Sequence, residues 1–154
     1  MPPAQPHLPF ALMNARIQPE GGSPMVRLPD EAKKTIAEVV PAFVATASKD
    51  SRPNVSPKGS LRVLDDEHVA FAEMASPQTL ANLRENPQVA VLVFSPDTWG
   101  GCRLRGRAEI LDSGELVDSF KAQFAPMKME VHCAVKIAVE EVVMMPPMKG
   151  GAQK

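Results

Sequence analysis

Three short stretches of the chain place polar and charged side chains where a backbone could offer them to a ligand. In the run from Asn54 to Ser60, Pro57 and Gly59 bracket Lys58 inside an otherwise extended segment. Proline cannot donate to a strand ladder, and glycine lets a second molecule approach the backbone, so Lys58 would set a positive charge beside a gap. An edge-strand bulge carrying a solvated lysine explains the same pattern. The second stretch, Ser76-Pro77-Gln78-Thr79, reads as a helix start, with Ser76 as N-cap and Pro77 at the first helical position. A helix start presents unpaired N–H groups and the positive end of the helix dipole, which favour an anion. Gln78 and Thr79 add side-chain donors there, and Asn82 lies one turn on; ordinary capping would need no ligand. The third stretch runs from Cys102 to Arg107, where Arg103, Arg105 and Arg107 share one strand face. Their repulsion must be offset by acids, a phosphate or a partner subunit.

Other chemistries find little support. Cys102 falls on an inward face and reads as a small core hydrophobe. Cys102 and Cys133 are the two cysteines of the chain, too few for a disulfide scaffold or a four-thiolate metal site. His132 beside Cys133 lacks further metal ligands at suitable spacing. No Walker loop, dinucleotide fingerprint, nucleophile elbow or zincin motif occurs. Met127, Met129, Met144, Met145 and Met148 cluster late and suit core filling or a soft interface.

These stretches must be positioned by strands and small helices. A short helix follows Asp30, with Asp30 as its cap and Ile36, Val39 and Val40 on one face. The period then changes to two. Phe43–Ser48, Asn54–Leu64 and Val69–Glu73 read as an antiparallel meander, with a bend at Pro57 and Gly59. A helix from Ser76 ends at Asn86–Pro87. Val89–Phe94 is apolar throughout, as in a strand buried on both faces. Cys102–Leu111 alternates, with Gly106 marking a close contact. Ser113 caps a helix whose stripe is Leu116, Val117, Phe120 and Phe124. Cys133–Met144 closes the chain as a long strand. About six strands at this spacing favour a small closed or split barrel over a parallel βαβ fold.

Composition sets the frame. Of 154 residues 16 are proline, and seven of these lie in residues 1–29. The expected organisation is therefore an extended Pro-rich arm (1–29), one domain (30–145) and a flexible tail (146–154). The net charge of −1 becomes −4 for residues 30–145, which argues against a general nucleic-acid binder. The longest apolar run, Val89–Phe94, has six residues, far below the roughly 18 that span a membrane. No export signature opens the chain, so a cytoplasmic setting is expected.

Taken in order, the strings ATASKDSRPNVSPKG, TLANLRENP and RLRGRAEI resemble the FMN-binding split-barrel family, which includes pyridoxamine 5′-phosphate oxidase and small flavin-binding proteins. The resemblance covers roughly residues 30–145. It implies a mainly β fold, a six-stranded antiparallel split barrel with small helices, working as a homodimer with FMN in a groove at the subunit interface. By the same resemblance, Ser56, Pro57, Lys58 and Gly59 line the isoalloxazine and ribityl side. Ala72 and Glu73 lie alongside through their backbone. Gln78 and Thr79 hold the phosphate, supported by Asn82. Trp99, Gly101 and Arg103 approach from the other subunit.

Two departures shape the functional expectation. Gln78 stands where relatives often carry Arg or Lys, and the C-terminal Trp and Arg–Pro segment of the pyridoxamine phosphate oxidases has no counterpart. The resemblance thus implies an FMN-dependent oxidoreductase acting on a small-molecule substrate, other than pyridoxamine 5′-phosphate oxidase itself. The alternative is a non-catalytic module that binds or stores flavin, a deazaflavin or haem. Haem would want an axial ligand, and His68 and His132 have no partner to support that role.

Overall fold

The computed structural model describes residues 15–17 and 25–148. Its strands are β1 (Ala15–Ile17), β2 (Ala42–Ala47), β3 (Pro53–Lys58), β4 (Arg62–Val63), β5 (His68–Glu73), β6 (Gln88–Phe94), β7 (Gly101–Leu111) and β8 (Cys133–Met145). Its helices are α1 (Asp30–Glu38), α2 (Pro77–Glu85) and α3 (Glu115–Phe124), the last followed by a short 3₁₀ turn. All strand pairs are antiparallel, in the order β3-β2-β6-β7-β8-β5-β4, with β1 added against β8. Lys58 at the end of β3 reaches Glu73 at the end of β5 at 2.9 Å, bringing the two ends of this order together, so the sheet curls into a split barrel. No helix among the described residues is long and apolar enough to cross a membrane.

Alternation along the strands builds the interior. Val44, Phe71, Val91, Val93, Leu104, Val135 and Ile137 point inward and are fully enclosed. A second cluster forms where α3 lays Val117, Phe120 and Phe124 on Ala70, Ala72 and Ala134. The alanines leave room for the ring of Phe120, and the Arg62 guanidinium covers it at 4.0 Å. At Gly106 a Cβ would come within 2.2 Å of Ala138 O, beside a bulge between Arg105 and Gly106. The glycine is what lets β7 and β8 approach.

Several expectations need correction. The split barrel is as expected, and its described residues add two short strands, β1 and β4, to about six. The extended run 54–64 breaks after Lys58 and crosses to the opposite end of the sheet, where Arg62–Val63 pairs with β5. The expected antiparallel pairings hold, but the middle segment makes them with two separate strands, β3 against β2 and β4 against β5, and β5 also pairs with β8. On β6 only Val89, Val91 and Val93 are buried, while Ala90, Leu92 and Phe94 are half-covered on the other face. Asp30 is the first residue of α1, with Pro29 at the cap, and Gly114 replaces Ser113 as the cap of α3 because that position takes φ +111°. The core also begins before Asp30, since Val26 and Leu28 are buried in it. Beyond β8, Met148 N donates to Thr98 O at 2.9 Å. The rest of the expected arm and tail lies outside the described residues.

The turn between β4 and β5 fastens the segment before α1. Leu28 N donates to Asp66 O, Arg27 pairs with the Asp66 carboxylate at 2.5 Å, and Lys33 bonds its other oxygen. The hydrogen bond from Lys33 and the charge of Arg27 hold the Asp66 carboxyl below its ordinary range. A carboxylate with a depressed pKa stabilises the fold above its unfolded pKa, and that contribution is lost as pH falls through the folded one. Asp66→Asn is therefore expected to lower the melting temperature at neutral pH, with the gap to wild type closing below about pH 4. A gap that persists in stronger acid would assign the loss to something other than these ion pairs.

Candidate functional site

The site candidates on β3, β5 and α2 meet where the barrel ends come together. β3 is the edge strand of the sheet, a place that tolerates Pro53 and Pro57. Its alternation buries Ser56 and Lys58 and leaves Val55 and Pro57 exposed. β5 ends at Glu73, which is 1% exposed although it is an acid. Lys58 Nζ donates to Glu73 Oε2 at 2.9 Å and also to Ser76 Oγ, and it lies 5.2 Å from the Phe71 ring centroid. The Glu73 carboxylate accepts the Ser76 N–H on Oε1 and the Ser76 hydroxyl on Oε2, both at 2.5 Å. Burying two charges is costly, and this pair offsets the cost with close geometry and several hydrogen bonds. Removing one partner alone leaves an unpaired buried charge, worth about 3–5 kcal/mol.

A neutral network continues from this pair. Ser56 Oγ and Thr79 Oγ1 are 2.9 Å apart, and Asn54 Nδ2 donates to Thr79 Oγ1 at 3.3 Å. Gln78 Nε2 donates to Asn82 Oδ1 at 2.8 Å, and Asn82 Nδ2 donates to Thr46 Oγ1 at 3.0 Å. Thr79 and Asn82 are wholly enclosed. Ser76 stands at the cap of α2 as expected, but its side chain makes no capping bond. Its hydroxyl is turned to Glu73 instead.

Trp99, Gly101 and Arg103 do not join this network: no hydrogen bond or ion pair among the described residues connects them to it. Trp99 sits in the β6–β7 turn at φ +60°, 61% exposed, with its ring edge-on to Phe94 at 5.8 Å. Gly101 opens β7 opposite Phe94. Arg103 lies on the outward face, in one cross-strand row with Leu92, Phe43 and Pro57. The next row holds Val55, Ala45, Ala90 and Arg105. This face is apolar at Val55, Phe43 and Leu92 and is rimmed by arginines. A Cβ at Gly59 would meet Val40 Cγ1 at 3.9 Å, an ordinary contact.

Asn54, Thr46 and Ser60 join the polar seam without a motif of their own; the one sequence signal at Asn54 and Thr46 is a polar residue at an inward strand position. Glu73, expected alongside the flavin through its backbone, is in addition the side-chain partner of Lys58. A groove of about 440 Å³ on the outward side is lined by Thr46, Asn86, Gln88, Arg105 and Glu140 among others. None of the twelve candidates lines it.

A single antiparallel sheet curled into a split barrel, with a polar cluster at the meeting of its ends, defines the class. The pyridoxamine 5′-phosphate oxidase family pattern matches residues 28–145, and the chain belongs to that family. It is 36% identical over 101 residues to the uncharacterized protein MJ0282 of Methanocaldococcus jannaschii, covering 61% of this chain and 63% of that one. The match thus spans less than two thirds of that relative. Among solved structures, HupZ of Group A Streptococcus is 28% identical with a TM-score of 0.69, over 80% of this chain and 99% of HupZ. An FMN-binding protein from Syntrophomonas wolfei gives 17% identity and a TM-score of 0.70, over 78% and 87% of the two chains. HutZ, the haem storage protein of Vibrio cholerae, gives 18% and 0.61, over 80% and 99%. At those identities the last two show the shared fold alone.

Protein thiol chemistry has no place in this arrangement. Cys102 and Cys133 are buried; burial, with a smaller push from Glu31, raises the Cys102 thiol to about 11. Burial and the nearby Glu73 raise Cys133 as well. Neither is a thiolate at neutral pH, so a thiol reagent is expected to label neither cysteine in the native protein and both after unfolding. Rapid native labelling followed by peptide mapping to Cys102 would show that the core opens.

Proposed function

We propose that the protein binds FMN against the edge of β3, the end of β5 and the start of α2, and acts as an FMN-dependent oxidoreductase on a small acceptor. The observation that carries this reading is the start of α2, left without a side-chain cap beside Asn54, Ser56, Gln78 and Thr79, in a chain of this family. Those neutral donors and the helix dipole suit a phosphate group. Gln78 and Thr79 would hold it, with Asn82 bracing the turn through Thr46. Ser56, Pro57, Lys58 and Gly59 would line the ring and its ribityl chain, where Gly59, without a side chain, lets a flat group approach. Ala72 and Glu73 would flank it. Bound flavin supplies hydride and electron transfer. The protein's own residues then bind, orient and exclude water, and no protein nucleophile is needed. Reduced, buried cysteines agree with a cytoplasmic setting.

A second copy of the chain completes the proposed site. The outward face of β3, β2 and β6 carries Val55, Phe43, Ala45, Ala90 and Leu92, with Val55 and Phe43 exposed and Trp99 exposed at its end. Apolar surface of this kind marks an interface. Across a two-fold axis, Trp99, Gly101 and Arg103 would reach the partner's flavin, which explains why they stand apart from the cluster of their own subunit.

Two experiments test these readings. The purified protein, scanned through the near-ultraviolet and visible range and titrated with FMN, is expected to show the twin bands of oxidised flavin at about one per subunit. A Soret band would favour the haem alternative, and no uptake of FMN would overturn the reading. Oxidation of a nicotinamide donor by the loaded protein would then separate an oxidoreductase from a storage module. Phe43→Asp is expected to weaken self-association by at least about 2 kcal/mol, seen by sedimentation as monomer. A variant that stays dimeric would move the interface elsewhere.

A further inference from the structure

Of the side chains in the hydrogen-bonded cluster at the barrel seam, only Lys58 and Glu73 ionise, and they bind each other at 2.9 Å. The region offered to a ligand therefore carries no net charge, despite the lysine. Glu73 also acts on the helix start. Its two oxygens take the Ser76 N–H and the Ser76 hydroxyl, so Ser76 is not available to cap the first turn of α2. The carboxylate stands at the end of the helix that attracts anions, tied there by Lys58, and competes with any ligand anion for the same positive potential.

We propose that Glu73 is the residue that sets the anion affinity of this site, by neutralising Lys58 while turning Ser76 away from the helix start. The inference rests on the flavin reading and adds a charge rule to it. Preference for a phosphate-bearing flavin over a phosphate-free one follows the net charge of residues 58 and 73, not the number of hydrogen bonds they make. Glu73→Gln keeps an acceptor for Ser76 and Lys58 and removes the negative charge. Lys58→Met removes the positive one. The two together restore neutrality without the ion pair.

The test is calorimetric titration of the full chain with FMN and, separately, with riboflavin, for wild type and the three variants. At an effective dielectric of about 20, a unit charge several ångströms from a phosphate changes binding by about tenfold or more. E73Q is expected to raise the FMN-to-riboflavin affinity ratio about tenfold, and K58M to lower it about tenfold. K58M/E73Q should return the ratio to within about threefold of wild type, and raising the salt concentration should compress all these differences. If E73Q does not fold, K58M against K58M/E73Q still isolates the charge of Glu73. A role for Glu73 limited to holding the fold would change both flavins alike and leave the ratio constant in every variant, which overturns the proposal. Wild type that takes up neither flavin overturns the flavin reading, and this inference with it.

Discussion

A sheet that curls until its ends meet must hold a seam where no regular ladder runs, and here the seam is tied by a buried ion pair. Lys58 comes from the last residue of β3 and Glu73 from the last residue of β5, the strands that face each other across the split. Ser60 adds a hydroxyl that both donates to and accepts from the backbone of Ala72. Ser76, the residue before α2, hangs on the same carboxylate. The barrel closure and the placing of Ser76 before α2 thus share one acid–base contact. Apolar residues of similar volume could close the seam as well or better, because buried ion pairs seldom exceed such replacements in stability. What a hydrophobic seam would lose is the polarity of the place where the proposed ligand sits.

The two faces of β3 divide the labour around that seam. Inward positions carry Ser56 and Lys58, which organise the polar cluster. Outward positions carry Val55 and Pro57, which continue the apolar face of Phe43 and Leu92. A free strand edge invites uncontrolled pairing, and two prolines in six residues are a common protection against it. They also leave the strand short, so the chain can turn at Gly59 and cross to the far end of the sheet. Proline at this edge is therefore part of how the barrel is split, not a defect in a longer strand.

How much of this could be read from the residues depends on which interactions are local. Strand alternation, the Ser-Pro helix start and the close approach at Gly106 are short-range signals, and each matches an observed element. The order of strands in the sheet is not local. Asn54–Leu64 looks continuous because its alternation persists across Gly59, while the break is imposed by the need to close the barrel. In the same way nothing local to Glu73 indicates what its side chain meets. Its true partner lies 15 residues upstream, a pairing that only the curled sheet creates. Asn54 and Thr46 were hidden for the same reason, as polar residues whose partners sit on a helix that packs beside them.

Gln78 illustrates how the site distributes its donors. In place of a cation at the helix start, its amide is committed to Asn82, which in turn reaches Thr46 on β2. Thr79 is likewise shared between Asn54 and Ser56. A neutral, internally bonded turn of this kind holds its shape without a ligand, so binding need not order it first. The corresponding cost is a weak electrostatic pull at a distance, since neutral donors act only in contact and the one lysine is compensated. Affinity in such a site comes from pre-arranged hydrogen bonds and the helix dipole, and the charge of residues 58 and 73 becomes the term most open to adjustment.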